Sequence, residues 1–187
     1  MPGRARLIVL LLAGISAVTL TACGNRHFPV HSAESEGVYL DLDSLKYQVQ
    51  VSRELNSSDP EDRAYLVGLA KADRTLKPDE VWFGVFLQIQ NDTKAPHPTA
   101  HELEIEDTQR NVYKPIRLAS INYYRYKSGT LAAKSRIPPP DTPAYDGPTQ
   151  GELVLFKLKE PSFDNRPLVL RMTSAVDTTT AHVDLDV

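Results

Sequence analysis

A single cysteine in 187 residues leaves no partner for a disulfide within the chain, so the fold must rest on apolar burial alone. Aromatic residues make up only 7 %, and positive charge is not in excess, with a formal net charge of −3. A nucleic-acid binder carries a clustered basic footprint, and this composition argues against one. No apolar run reaches the ~20 residues that a membrane-spanning helix needs. Also missing are a Gly-x-Ser-x-Gly elbow, a Ser-x-x-Lys pair, a His-Glu-x-x-His helix and a phosphate loop. No segment shows a convincing 3.6-residue amphipathic period, and no repeat of 20–50 residues is visible.

The chemistry that is present lies near the N-terminus. Arg4 and Arg6 form a positive start, residues 7–20 form a short apolar stretch, and small residues Ala17, Thr21 and Ala22 lead to Cys23. The string Leu20-Thr21-Ala22-Cys23 resembles the lipobox of bacterial lipoproteins. That resemblance implies diacylglyceryl transfer to the Cys23 thiol, cleavage before it, and often acylation of the new amine. An uncleaved anchor is the competing reading. Cleavage would remove Arg4 and Arg6 and take the formal charge from −3 to −5. Such a surface gains no polybasic help at an anionic membrane, so the acyl chains would carry the attachment.

After the cysteine, residues 24–36 are polar without a sustained period and read as a flexible tether. From residue 37 the pattern is that of strands. Leu45, Tyr47, Val49 and Val51 alternate with polar residues. Residues 80–91 place Val81, Phe83, Val85, Leu87 and Ile89 on one face, with Trp82, Gly84 and Phe86 on the other. A first half apolar on both sides predicts a central strand covered by a second layer, and Gly84 predicts a bulge or a close backbone approach. Residues 65–69 read as a short strand, although Pro60-Glu61-Asp62 also suits the first turn of a brief helix. Residues 102–106 alternate, and Pro115 limits the strand begun at Val112. Five prolines between residues 127 and 150 exclude a regular element there. Residues 151–158, 168–172 and 181–187 complete six or seven strands, the pattern of an all-β antiparallel sandwich.

Three pieces also resemble a bacterial family. They are Val85-Phe86-Leu87-Gln88-Ile89-Gln90-Asn91-Asp92-Thr93, then Ile105-Glu106-Asp107-Thr108-Gln109-Arg110-Asn111-Val112-Tyr113, then Gly151-Glu152-Leu153-Val154-Leu155-Phe156-Lys157-Leu158-Lys159-Glu160-Pro161. Together they are similar to the immunoglobulin-like, telokin-like domains of unknown function on Gram-positive lipoproteins. The resemblance implies an immunoglobulin-like β-sandwich of about seven strands over residues 38–187, with no shared catalytic residue. Asn111 stands where that family usually has a hairpin glycine, and the Pro-rich insert is a second departure.

Several clusters are candidates for chemistry. His182, Asp184 and Asp186 share one face of a strand, but ~7 Å steps suit a solvated edge better than a metal site. His97 and His101 flank Pro98, which argues against the helix that zinc binding at that spacing needs. His27 and His31 fall in the tether and read as solvated. Asp41, Asp43, Asp59, Glu61 and Asp62 do not match an EF-hand loop. Glu102, Glu104 and Glu106 form a like-charge ladder that costs stability unless bases lie opposite. No catalytic residue, metal or cofactor is implied. Asn122-Tyr123-Tyr124-Arg125-Tyr126 is the most suggestive stretch for contact with a partner: on a strand, Tyr124 and Tyr126 would share one face and Tyr123 the other. The alternative is that these rings cap the core.

The sequence therefore predicts a non-enzymatic binding or interaction module of the bacterial envelope. It would be lipid-anchored through Cys23 on the outer face of the cytoplasmic membrane. Tyr123, Tyr124, Arg125 and Tyr126 would meet another envelope protein or a wall polymer. The competing readings are a small-ligand or metal-binding lipoprotein and, behind it, an envelope hydrolase.

Overall fold

Period-two alternation of apolar and polar residues sets the strands. The structure, a computed structural model, describes residues 28–187. The leader, Cys23 and His27 lie outside the described residues. In chain order the strands are β1 (Ser32–Ala33), β2 (Leu40–Leu42), β3 (Leu45–Leu55), β4 (Glu80–Gln90), β5 (His97–Pro98) and β6 (Glu102–Glu106). They continue with β7 (Val112–Tyr113), β8 (Thr130–Leu131), β9 (Arg136–Ile137), β10 (Glu152–Lys159), β11 (Leu168–Thr173) and β12 (Thr180–Leu185). Among the described residues seven of these have three residues or more, which matches the expected number of true strands.

Two sheets face each other. One has the order β1-β12-β11-β6-β7 and the other β10-β4-β3-β2, with β9 joining the far end of β4. The pairings are antiparallel apart from β1 on β12. Between the sheets lies the main core, which takes Val81, Phe83, Val85, Leu87 and Ile89 from β4 and Ile105, Leu170, Met172 and Val183 from the facing sheet. The fold is an all-β sandwich.

The outer face of β4 has its own cover. Trp82 and Phe86 pack with Leu55, Tyr65, Leu69, Leu118, Leu153 and Leu155 in a second apolar cluster. Gly84 fits this layer: a Cβ there would lie 3.0 Å from Leu153 Cδ1 and 3.2 Å from Leu55 Cδ1. What approaches this glycine is side chains, not the backbone that the sequence suggested. The register shift instead falls on β3, between Val49 and Val51.

A short helix, α1 (Pro60–Tyr65), forms part of the cover, so the helical alternative for this stretch holds and no strand forms over residues 65–69. Asp59 caps it, its carboxylate accepting from the Glu61 and Asp62 backbone N–H groups, and Pro60 supplies a preset φ at the first position.

Two sequence expectations change at the sandwich edge. The tether does not run free to residue 36, because Ser32 and Ala33 pair with His182 and Val183. The Glu36 carboxylate accepts from the backbone N–H of Ser52 at 3.0 Å and of Asp186 at 3.3 Å. These bonds tie residues 32–36 to both sheets, and polarity alone could not reveal them. Consequently β12 is an inner strand beside β1 and not an edge, while its polar face remains solvated, with His182 and Asp186 exposed. His31 is half-buried, its Nδ1 buried without a hydrogen-bond partner among the described residues, so it is only partly solvated.

Candidate functional site

Residues 114–126 leave one sheet, cross the outer face of the other and return, and this excursion builds the candidate site. Pro115 stops β7, and the Ile116 N–H donates to the Leu155 carbonyl at 2.7 Å. Leu118 then bridges Leu69, and the Ala119 N–H donates to Gly68 O at 3.0 Å. Gly68 has φ +82°, and a Cβ there would come within 3.2 Å of both the Ala119 nitrogen and Ile121 Cγ2, so glycine is needed for backbone and packing alike.

Asn122 locks the turn that follows. Its side chain is buried, and Nδ2 donates to the carbonyls of Tyr65 and Val67, both at 2.8 Å. Its Oδ1 accepts from the Tyr124 N–H at 2.9 Å. The neighbours on either side are thereby held outward: Ile121 is 62 % exposed and Tyr123 77 % exposed, beside Val67 at 42 %. These residues make a small apolar knob on a fixed turn.

The next residues dive inward. Tyr124 stands edge-on to Tyr65 in the outer cluster, while Tyr126 packs against the main core. Tyr126 donates to Ala100 O at 3.4 Å, and burial pushes its phenol up to about 12. The expectation that Tyr124 and Tyr126 share a face is therefore overturned. The segment is a turn that crosses the edge of β10, bonded through Tyr124 O and the Tyr126 N–H to Leu153, and it sends the two rings into different layers. Of the four predicted contact residues, Tyr123 is free in water, Tyr124 and Tyr126 are occupied in packing, and Arg125 is half-buried.

Arg125 lines a groove of about 390 Å³ along the seam between the sheets. Leu103, Ile116, Leu118 and residues 153–155 give it an apolar floor, and Lys114, Arg117, Arg125 and Lys127 bring four cations to it. Glu102, its one acid, is engaged by Lys114 at 3.1 Å. Just beside the lining, burial pushes the Glu152 carboxyl up to about 7, against the Lys127 backbone N–H and the Arg125 charge, which pull it down.

A second depression, about 420 Å³, lies on the outer face of β11 around Glu106, Arg110, Arg171 and His182. Here the acidic ladder meets its bases. Arg110 and Arg171 both bond Glu106 and hold its carboxyl low, and Arg171 Nε lies 3.9 Å from Glu104. The bases that the ladder required are in place.

The remaining candidate ligands are scattered. Asp43 accepts from Ser174 Oγ at 2.6 Å and from the Ala175 N–H at 2.9 Å, and Asp41 from the Val30 N–H at 2.9 Å. Asp62 is buried, which raises its pKa, but the Arg53 guanidinium at 2.6 Å and the Asn56 N–H hold it lower overall. His101 Nδ1 lies 2.8 Å from Ser174 O, while His97 sits in the β5–β8 ribbon. Among the described residues no group of three or more His, Cys, Asp or Glu side chains converges as a metal site.

Sequence reasoning missed Asn122 as the lock and Arg117 and Lys127 as groove residues. An asparagine between two large apolar residues was the only local signal for the first; nothing local marked the second.

No protein-family model matches the chain, and no curated protein matches it in sequence. Among solved structures it is similar to the yjhA protein from Bacillus subtilis, at 10 % identity over 82 % of this chain and 99 % of that one, with a TM-score of 0.47. It is also similar to the candidate lipoprotein ycdA from Bacillus subtilis, at 10 % identity over 78 % of this chain and 38 % of that one, with a TM-score of 0.45. A β-sandwich protein from Clostridium difficile matches at 11 % identity over 86 % of this chain and 99 % of that one, with a TM-score of 0.38. No helix among the described residues is long and apolar enough to cross a membrane.

Proposed function

We propose that this chain is a lipid-anchored, extracytoplasmic binding module of the bacterial envelope, immunoglobulin-like in build and non-enzymatic. Cys23 carries the anchor, and the knob of Ile121 and Tyr123 meets another envelope protein. The observation that supports this reading most is the Asn122 lock. It fixes the backbone from which a large aromatic and a large aliphatic side chain project outside the fold, so little backbone ordering entropy remains to be lost on contact. Exposed aromatic side chains of this kind are the usual anchors of protein interfaces.

Polarity of the molecule agrees. The chain enters beside Asp41, at the Lys46 end of β3, whereas the knob lies over the layer that covers Leu55 and Phe86 toward the other end. An 11-residue strand is ~36 Å long, which sets the scale of the separation between Val30 and the knob. Two or three acyl chains on one residue are enough for stable residence at a membrane.

Photocrosslinking in intact membranes tests the reading. A photoreactive residue at Tyr123 should give a discrete protein adduct that Ile121→Asp abolishes. The same probe at Val176, exposed elsewhere on the sandwich, should not give it. No adduct, or the same adduct from both positions, would refute the proposed contact surface.

A further inference from the structure

We infer that the seam groove is a binding site for a small organic anion, one with a phosphate or carboxylate group joined to an apolar portion. The carrying observation is Arg125. The residue is half-buried, yet among the described residues its side chain makes no ion pair within 4 Å and no hydrogen bond, and the acid that feels its charge, Glu152, is one that burial pushes up to about 7. A charge taken partly out of water without a direct partner is costly, and a guanidinium is shaped to grip a carboxylate or phosphate with two parallel bonds.

Arg117 and Lys127 reinforce it. Both line the same groove, both are exposed, and neither side chain has an ion-pair or hydrogen-bond partner among the described residues. Four other cations on or beside the sheets are matched: Arg53 is bound to Asp62, Arg110 and Arg171 to Glu106, and Lys114 to Glu102. A chain of net charge −3 thus brings to one concavity three cations that have no ion pair within 4 Å among the described residues. Such a cluster attracts anions and favours their encounter.

The floor decides the rest of the ligand. Half-buried Ile116, with the small exposed parts of Leu103 and Leu118, gives the groove its apolar surface, which rewards an aliphatic or ring portion and not a bare ion. A volume of about 390 Å³ fits one small molecule and lies within the ~300–1,000 Å³ range of ligand pockets. The depression at Glu106 lacks this character, because its arginines are already satisfied by that carboxylate. The site is separate from the knob, so neither proposal depends on the other.

Calorimetric titration of the full chain in detergent with phenyl phosphate tests the site. Inorganic phosphate and phenol serve as the two half-probes. The expected result is saturable binding of phenyl phosphate at least tenfold tighter than either half-probe. Arg125→Gln should weaken it at least tenfold and Arg110→Gln should leave it unchanged. Should Arg125→Gln compromise folding, the exposed pair Arg117→Gln and Lys127→Gln takes its place, with an expected loss of at least fivefold at unchanged circular dichroism. No saturation, equal binding of inorganic phosphate, or indifference to the groove substitutions would overturn the inference. Crosslinking at Tyr123 would be unaffected by any of these outcomes.

Discussion

The ring of Tyr124 stands edge-on to that of Tyr65, with centroids 4.8 Å apart and planes 78° apart, and Tyr65 stands edge-on to Phe86 at 5.0 Å. One ring comes from the loop excursion, one from α1 and one from β4, so this stack fastens the outer layer to the sheet. It also sets the boundary between residues that hold the fold and residues free to meet a partner. Tyr124 belongs to the first group and its neighbour Tyr123 to the second.

Stability measurements should separate the two tyrosines. Tyr65→Ala should cost about 3–5 kcal/mol, as removal of a buried aromatic does. The Tyr65/Tyr124 pair should show a coupling of about 0.5–1.5 kcal/mol in a double-mutant cycle. Tyr123→Ala should change stability by less than about 0.5 kcal/mol. Urea unfolding of the variants checks all three values. A large loss at Tyr123 would place that ring in the fold and take it away from the interface.

The lock itself can be removed. Asn122→Ala leaves the Tyr65 and Val67 carbonyls without their side-chain donor, at about 1–3 kcal/mol for each one left unpaired. The same variant should lower the crosslinking yield at Tyr123, because the knob is no longer fixed although its side chains are intact. Equal yield at full folding would show that rigidity is unimportant.

Much of this architecture is legible in the chain. The two apolar faces of residues 80–87 announce a central strand with a second cover, and Pro115 and the Pro-rich insert limit the strands around them. The site is less legible, for a physical reason. Asn122 bonds to residues 55 and 57 positions earlier, and the direction of a side chain in a turn has no period to read. Strand alternation would pair Tyr124 with Tyr126, whereas the backbone there bends around the edge of β10. The groove cations are spread from Lys114 to Lys127 and come together only when two segments dock on the same strand.

Acid–base titration should report on Glu152. Burial raises its carboxyl to about 7 in the folded chain, above the ordinary carboxylate value of 4.5. Between those values the folded state holds the proton that the unfolded state has released, so stability falls as pH rises from about 4.5 through 7. Above that window the buried charge weighs fully on the fold. Glu152→Gln should remove this component, gaining most over wild type at pH 8 and least near pH 4.5. Unfolding midpoints at pH 5 and pH 8 test it, and identical pH dependence in the two proteins would contradict it.

The proposed attachment through Cys23 would give the proposed binding module its setting, and intact mass of the protein extracted from membranes tests it most directly. Wild type should begin at residue 23 and carry the added mass of at least a diacylglyceryl group. Cys23→Ser should keep its leader and lack that mass. A wild-type chain of unmodified mass, or a serine variant processed and membrane-bound in the same way, would contradict the anchored module proposed here.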